Sequence, residues 1–235
     1  GNDNVAVGHD ALTANTTGTQ NVAVGTNALD ANTTANNQTA IGYNALSAAT
    51  TGSGGNTAVG GNALAVNTTG IYNTAVGYAS LDASTTGQKN VAVGYHAGSD
   101  LTSGELNTFV GYQAAADFSG TGTTAIGGSA LRLNTASNNT AVGREAAYST
   151  TSGVITAIGY RALYLNTTGT NNVALGYEAL YNNTTASNNT AVGQGALIEN
   201  TTAEHNVAVG RTALKLTTTG GLNCALGSSA LENNT

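Results

Sequence analysis

The chain has 235 residues, a formal net charge of −6 and only 8% charged residues, where a soluble domain ordinarily carries roughly 25%. Its 40% apolar content at so low a net charge excludes disorder, because disordered chains are those that cannot bury enough apolar surface to offset ordering entropy. Six scattered basic residues exclude a phosphate-neutralising stripe for nucleic acid, and no apolar run approaches the roughly 18 residues of a membrane span.

A repeat dominates the sequence. Asn-Val-Ala-Val-Gly occurs at 4–8, 21–25, 90–94 and 206–210, and Asn-Thr-Ala-Val-Gly at 56–60, 73–77, 139–143 and 189–193. The closing glycine recurs fourteen times from Gly8 to Gly227, at spacings of 16 to 18 residues. The consensus reads Asn-(Val/Thr)-Ala-(Val/Ile)-Gly-x-x-Ala-Leu-x-x-Asn-Thr-Thr-Gly-x-x.

The first predicted element of each repeat is a short strand, since Val, Ile and Thr are β-branched. The residue before the glycine is always aliphatic: Val7, Val24, Ile41, Val59, Val76, Val93, Val110, Ile126, Val142, Ile158, Leu175, Val192, Val209 and Leu226. Two residues earlier stands Val, Thr or, once, Cys224. Columns two apart share a strand face, and this branched face is expected to form the core, with Cys224 as a small buried hydrophobe. The other face holds Asn, Ala and Gly, with Phe109 the exception in the Ala column. A face of small residues implies close approach of backbone or of another chain. Asn at one place in successive coils suits a ladder of side-chain amides.

After the glycine and two variable residues comes Ala-Leu, then Asn-Thr-Thr-Gly, as at 15–18, 67–70 and 166–169. Asn and Gly tolerate positive φ and Thr bonds to local backbone, so this segment reads as a turn. The extra residue in Gly52-Ser53-Gly54-Gly55 falls where a loop absorbs it. Asn-Thr-Thr also matches the glycosylation acceptor pattern, but is read as a turn first.

Helical repeats need roughly 33–47 residues per unit, whereas about 17 suffice for short strands and turns. The expected fold is all-β: a parallel β-solenoid of about 14 coils with a repeat of about 17 residues, continuous over 1–235 as one repeat domain. With no Met and no signal peptide, the chain is expected to be a fragment of a longer fibrous protein. Each coil supplies about three core side chains, at roughly 1.5–3 kcal/mol each, against an ordering cost of ~1–2 kcal/mol per backbone residue. So thin a roll gains by burying its small-residue face against neighbours, and a closed homo-oligomer is expected.

Tandem Asn-x-Ala-(Val/Ile)-Gly over Asn4 to Leu231 resembles the YadA-like head repeat of trimeric autotransporter adhesins. It is also similar to the arrays of phage-type tail-fibre proteins, which carry Asn-Thr-Thr-Gly turns and Tyr after the glycine. The resemblance implies a left-handed β-roll, intertwined or side by side in a homotrimer, at the cell surface, outside the cell or in a virion tail fibre. The repeat here is longer than in the adhesin heads. No neck, stalk, anchor or chaperone domain is seen in the sequence.

Recognition is expected at the variable positions. Tyr follows the closing glycine at Tyr43, Tyr78, Tyr95, Tyr112, Tyr160 and Tyr177. A second column, five after the glycine, holds Tyr148, Tyr164 and Tyr181, with Arg132, Arg144 and Arg161 nearby. Stacked tyrosines suit a host-surface glycan or a protein partner, because Tyr gives rigid amphipathic contact area; packing within or between chains is the alternative. His9, His96 and His205 lie at three phases of the repeat and the carboxylates are scattered. No catalytic motif, cofactor site or metal site is read, and no enzyme is expected.

The leading expectation is an adhesive fibre segment, an adhesin head or a tail fibre. The first alternative is an ice-binding solenoid, disfavoured because the strand threonines are expected to point inward. The second is a carbohydrate-active β-helix enzyme, which needs convergent carboxylates in a groove.

Overall fold

The computed structural model describes residues 1–51, 54–151 and 153–235. Gly52 and Ser53, where the sequence predicts that a loop absorbs the extra residue, lie outside the described residues, as does Ser152. The protein is an all-β parallel β-solenoid of about 13 turns. It divides into two compact units, Gly1–Thr121 and Gly122–Thr235.

The first unit contains β1 (Val5–Val7), β2 (Val22–Val24), β3 (Thr39–Ile41), β4 (Thr57–Val59), β5 (Thr74–Val76), β6 (Val91–Val93) and β7 (Thr108–Val110). The second contains β8 (Thr124–Ile126), β9 (Thr140–Val142), β10 (Ile155–Ile158), β11 (Asn172–Leu175), β12 (Thr190–Val192), β13 (Val207–Val209) and β14 (Cys224–Leu226). Within each unit, successive strands pair in parallel with like residues opposite, as Ala23 with Ala40 and Ala174 with Ala191. Register survives the extra residue between β3 and β4, since Thr39 still faces Thr57. It also survives the shorter coil between β8 and β9, where Thr124 faces Thr140.

The strand faces are the reverse of those expected. The Ala column is inside, fully buried from Ala23 to Ala208, and Phe109 is buried in the same place. The aliphatic column expected in the core points outward. Val7, Ile41, Val93, Ile126, Ile158, Leu175 and Leu226 are exposed, and Val24, Val59, Val76, Val110, Val142, Val192 and Val209 are half-buried. Cys224, expected to be buried, is exposed on the outward column of β14.

The reason lies in the fourth residue after each closing glycine. Leu29, Leu46, Leu64, Leu131, Leu163, Leu180 and Leu197 are completely buried and occupy the left-handed region, with Leu64 at φ 50°. A left-handed conformation costs an L-residue roughly 1–2 kcal/mol, and full burial of Leu stabilises by about 1.5–3 kcal/mol. The turn therefore folds its Leu inward against the Ala column. Gly98, which stands in the Leu column, shows this: a Cβ there would lie 2.6 Å from Phe109 Cδ2 and 3.0 Å from Leu81 Cδ2. With Leu on one wall, only a methyl fits on the other. Alternation defines two faces but not which is inside.

The exception confirms the volume argument. Where Gly98 and Ala115 replace Leu, Phe109 replaces Ala on the adjacent strand. Leu101 and Phe118 then replace the turn Asn and are buried, with the Phe109 and Phe118 rings edge to face at 5.3 Å.

The inward Asn column forms the expected ladder in a different form. Each amide chiefly joins backbone to backbone across coils. Asn73 Oδ1 accepts from the Asn90 backbone N–H at 3.0 Å, and Asn73 Nδ2 donates to the Gly87 carbonyl at 2.7 Å. In the second unit Asn172 Oδ1 accepts from the Asn189 N–H at 2.9 Å, and Asn189 Nδ2 donates to the Ala203 carbonyl at 2.8 Å. The turn Asn makes a second ladder, Asn200 to Asn183 at 3.1 Å and Asn183 to Asn166 at 2.7 Å. These turn asparagines are buried, so the Asn-Thr-Thr segments are structural, and Thr33 Oγ1 donates to the Thr50 carbonyl of the next coil at 2.7 Å. The closing glycine has no substitute: Gly77 has φ +134°, and a Cβ there would collide with the Gly94 carbonyl.

Two outcomes follow for stability, read by chemical denaturation. Asn73→Ala strands a buried N–H and a buried carbonyl and lowers stability by about 2–4 kcal/mol, whereas Thr69→Ala on the exposed turn stays within about 0.5 kcal/mol. Phe109→Ala opens a cavity and lowers stability by roughly 3–5 kcal/mol. Adding Gly98→Leu to Phe109→Ala restores part of that loss, although Gly98→Leu alone destabilises, a non-additivity expected of residues that share one space.

Tyrosine ladders as the candidate functional site

Identical coils in register place any residue one coil above its counterpart, so a repeated Tyr becomes a stack. In the first unit Tyr78 and Tyr95 have ring centroids 5.7 Å apart and Tyr95 and Tyr112 5.4 Å, with interplanar angles of 15° and 7°. His96 lies beside this stack, 4.3 Å from Tyr95 and 5.8 Å from Tyr78. Tyr43 is exposed and stands apart, because the next coil carries Gly61 at that place.

In the second unit both Tyr columns stack. Tyr160 and Tyr177 are 5.3 Å apart, Tyr148 and Tyr164 5.4 Å, and Tyr164 and Tyr181 5.2 Å. Offset stacking contributes roughly 0.5–1.5 kcal/mol per pair beyond area burial, so each ladder supports the coil as well as facing solvent. Tyr177 is exposed, and Tyr148, Tyr160, Tyr164 and Tyr181 are half-buried.

Arg161 joins the two columns. Its guanidinium carbon is 5.0 Å from the Tyr160 ring centre and 5.2 Å from that of Tyr164. Arg144, one coil earlier, is 5.9 Å from the Tyr160 ring. Glu145 holds both cations. Its Oε2 accepts from Arg161 Nε at 2.6 Å, and its Oε1 from Arg144 Nε at 3.2 Å and Nη2 at 3.0 Å. Each Arg is thereby fixed as a plane beside an aromatic ring, a geometry Arg favours over Lys.

The hydrogen bond from Arg161 holds the Glu145 carboxyl below its ordinary value, with Arg144 adding to the effect against the opposing cost of burial. Burial pushes the Tyr164 hydroxyl up, and the Glu178 carboxylate does the same to Tyr177.

Of the residues singled out from sequence, the fold brings Arg144, Arg161, Tyr148, Tyr160, Tyr164, Tyr177 and Tyr181 to one stretch of surface. Arg132 occupies the Tyr148 column one coil earlier. Glu145 is one of several scattered carboxylates in the sequence, and only the coil gives it a place. Its signal was there, since Glu145 and Arg161 hold the same place in coils sixteen residues apart. Among the described residues there is no group of three or more His, Cys, Asp and Glu able to hold a metal, and no helix long and apolar enough to cross a membrane.

The ion cluster makes a pH prediction. A carboxyl whose folded pKa is depressed adds stability that is present above its unfolded pKa and is lost as pH falls through the folded value. The Glu145 contribution is therefore intact at neutral pH and disappears on acidification below the ordinary carboxylate range. Side-chain carboxyl NMR should show Glu145 titrating below 4.5 in the native protein and moving up towards 4.5 in Arg161→Gln. No protein-family model and no curated protein matches this chain.

Proposed function

We propose that this chain is a structural and adhesive segment of an extracellular fibre, a homotrimer joined through the outward face of its strands and attached to a surface or host receptor through its tyrosine ladders. The fibre lies at a cell surface or in a virion tail. The observation that carries this reading is the outward face itself. In each unit the strands turn outward one aliphatic column and one of Val, Thr or Cys, half-buried to exposed, with Val91, Val93 and Ile41 exposed in the first and Ile158, Val173 and Leu175 in the second. A continuous exposed apolar stripe marks an interaction surface. A stripe that repeats along the solenoid axis is best covered by an identical stripe, which a closed cyclic assembly supplies. The repeat of Asn-x-Ala-(Val/Ile)-Gly, similar to trimeric adhesin heads and tail-fibre arrays, supports the same reading.

A second reading draws on the same face. Thr39, Thr57, Thr74 and Thr108 stand on the outward column, not inward as expected, so strand threonines form the spaced array an ice-binding surface needs. The companion column is wholly aliphatic and as large as Leu175, which favours burial by protein.

Light scattering at micromolar concentration should return a mass three times that of the 23.1 kDa chain. The pair Val76→Asp and Val93→Asp places charge on the stripe without entering the roll, and should yield monomers with an unchanged β circular-dichroism spectrum. A native protein that runs as a monomer defeats the trimer, and thermal hysteresis from such a monomer would move the assignment to ice.

A further inference from the structure

The second unit carries a feature that fibre assembly does not use. Charge on this chain is sparse and acidic, yet three of its six basic residues, Arg132, Arg144 and Arg161, fall within residues 128–182. The same stretch holds two carboxylates, Glu145 and Glu178, and is locally positive by one charge (three minus two) in a chain of net charge −6. Five of the ten tyrosines lie there as well.

The Arg161 side chain is engaged on one edge only. Its Nε meets Glu145, and its terminal nitrogens make no hydrogen bond among the described residues. Glu145 thus fixes the guanidinium between the Tyr160 and Tyr164 rings while leaving the fork of terminal N–H groups unspent. The side chain is 32% exposed, so that fork is reachable. A guanidinium with free terminal N–H groups is a bidentate receptor for a carboxylate. The flanking rings add rigid apolar surface and a row of phenolic hydroxyls at centroid spacings of 5.2 to 5.4 Å. A ligand that uses all of this carries a carboxylate, many hydroxyls and a repeating unit along one axis.

We propose that this patch binds a linear acidic polysaccharide of the uronic-acid class. A uronate carboxylate is held by Arg161, with Arg144 beside it, and neighbouring sugar units lie along the Tyr148, Tyr164 and Tyr181 ladder. The proposal rests on the adhesive reading and names its ligand class. An acidic peptide offers the carboxylate but not the regular hydroxyls that a periodic row of phenols would meet. Glu145 is a positioning residue: it orients the guanidinium and does not touch the sugar.

The test is calorimetric titration of the native protein with a short oligogalacturonate and with its methyl ester, which keeps every sugar contact and removes the charge. Binding of the acid with loss of about tenfold or more for the ester, and a similar loss in Arg161→Gln, is the expected result. Tyr164→Ala weakens the acid as well, and Lys89→Gln in the first unit leaves it unchanged. Raising the salt concentration weakens the acid and spares the ester. Equal affinity for acid and ester, no binding of either, or equal binding of polyglutamate overturns the assignment. Because assembly is read separately by light scattering, a trimer that ignores the sugar sinks this proposal alone, whereas a monomer that binds it sinks the fibre and leaves the site.

Discussion

Everything in this protein depends on backbone groups being satisfied between coils. A strand of three or four residues cannot stand alone, and each one here pairs with the strand of an adjacent coil within its unit. The first pairing shows the pattern, with the Val5 N–H donating to the Asn21 carbonyl at 2.8 Å and the Gly25 N–H to the Val7 carbonyl at 2.8 Å. Even the turn obeys it: the Asn27 N–H reaches back to His9 and the Leu29 N–H reaches forward to Ala45. Buried backbone polar groups must be paired, so a coil is acceptable only if its neighbours have its shape. That is why the sequence repeats, and why length variation is confined to the turns.

The same constraint fixes the interior. With coils stacked flat, a side chain may be large only where the wall opposite is small. Leu64 and Ala75 are both completely buried, as are Leu163 and Ala174. Where the division changes hands at Gly98, Phe109 takes the volume. The asparagines complete this interior because an amide both accepts and donates, and so can join two coils where a hydrocarbon would leave a carbonyl or an N–H unpaired. The Asn column is thus a backbone linker in side-chain form.

Much of this was legible in sequence, and the reasons for the remainder are physical. Period and strand position followed from Asn-x-Ala-(Val/Ile)-Gly, since a recurring glycine at positive φ and a β-branched pair two apart leave few alternatives. The polarity of the strand did not follow. Hydrophobicity alone places Val93 inside and Ala92 outside, and the structure has the opposite, because the limiting quantity in so thin a coil is volume. Leu81, completely buried at φ 50°, already fills interior volume from the turn side. The tyrosine stacks were legible as columns, since Tyr148, Tyr164 and Tyr181 recur at coil spacing. The Glu145 clamp was not, because a carboxylate and a guanidinium sixteen residues apart look unrelated until the coil places them side by side.

The inversion of the strand faces also changes what an oligomer would rest on. A face of Ala and Asn turned outward would associate by close backbone approach, with little apolar area to bury. The observed outward face is of Val, Ile, Thr and Leu, with Ile41 40% and Leu175 43% exposed. Association through it would remove branched side chains from water, at roughly 25 cal/mol per Å². Neither that face nor the tyrosine columns share a residue with the Ala, Leu and Asn that make the roll, so substitutions on either alter the surface of the coil and leave its interior intact.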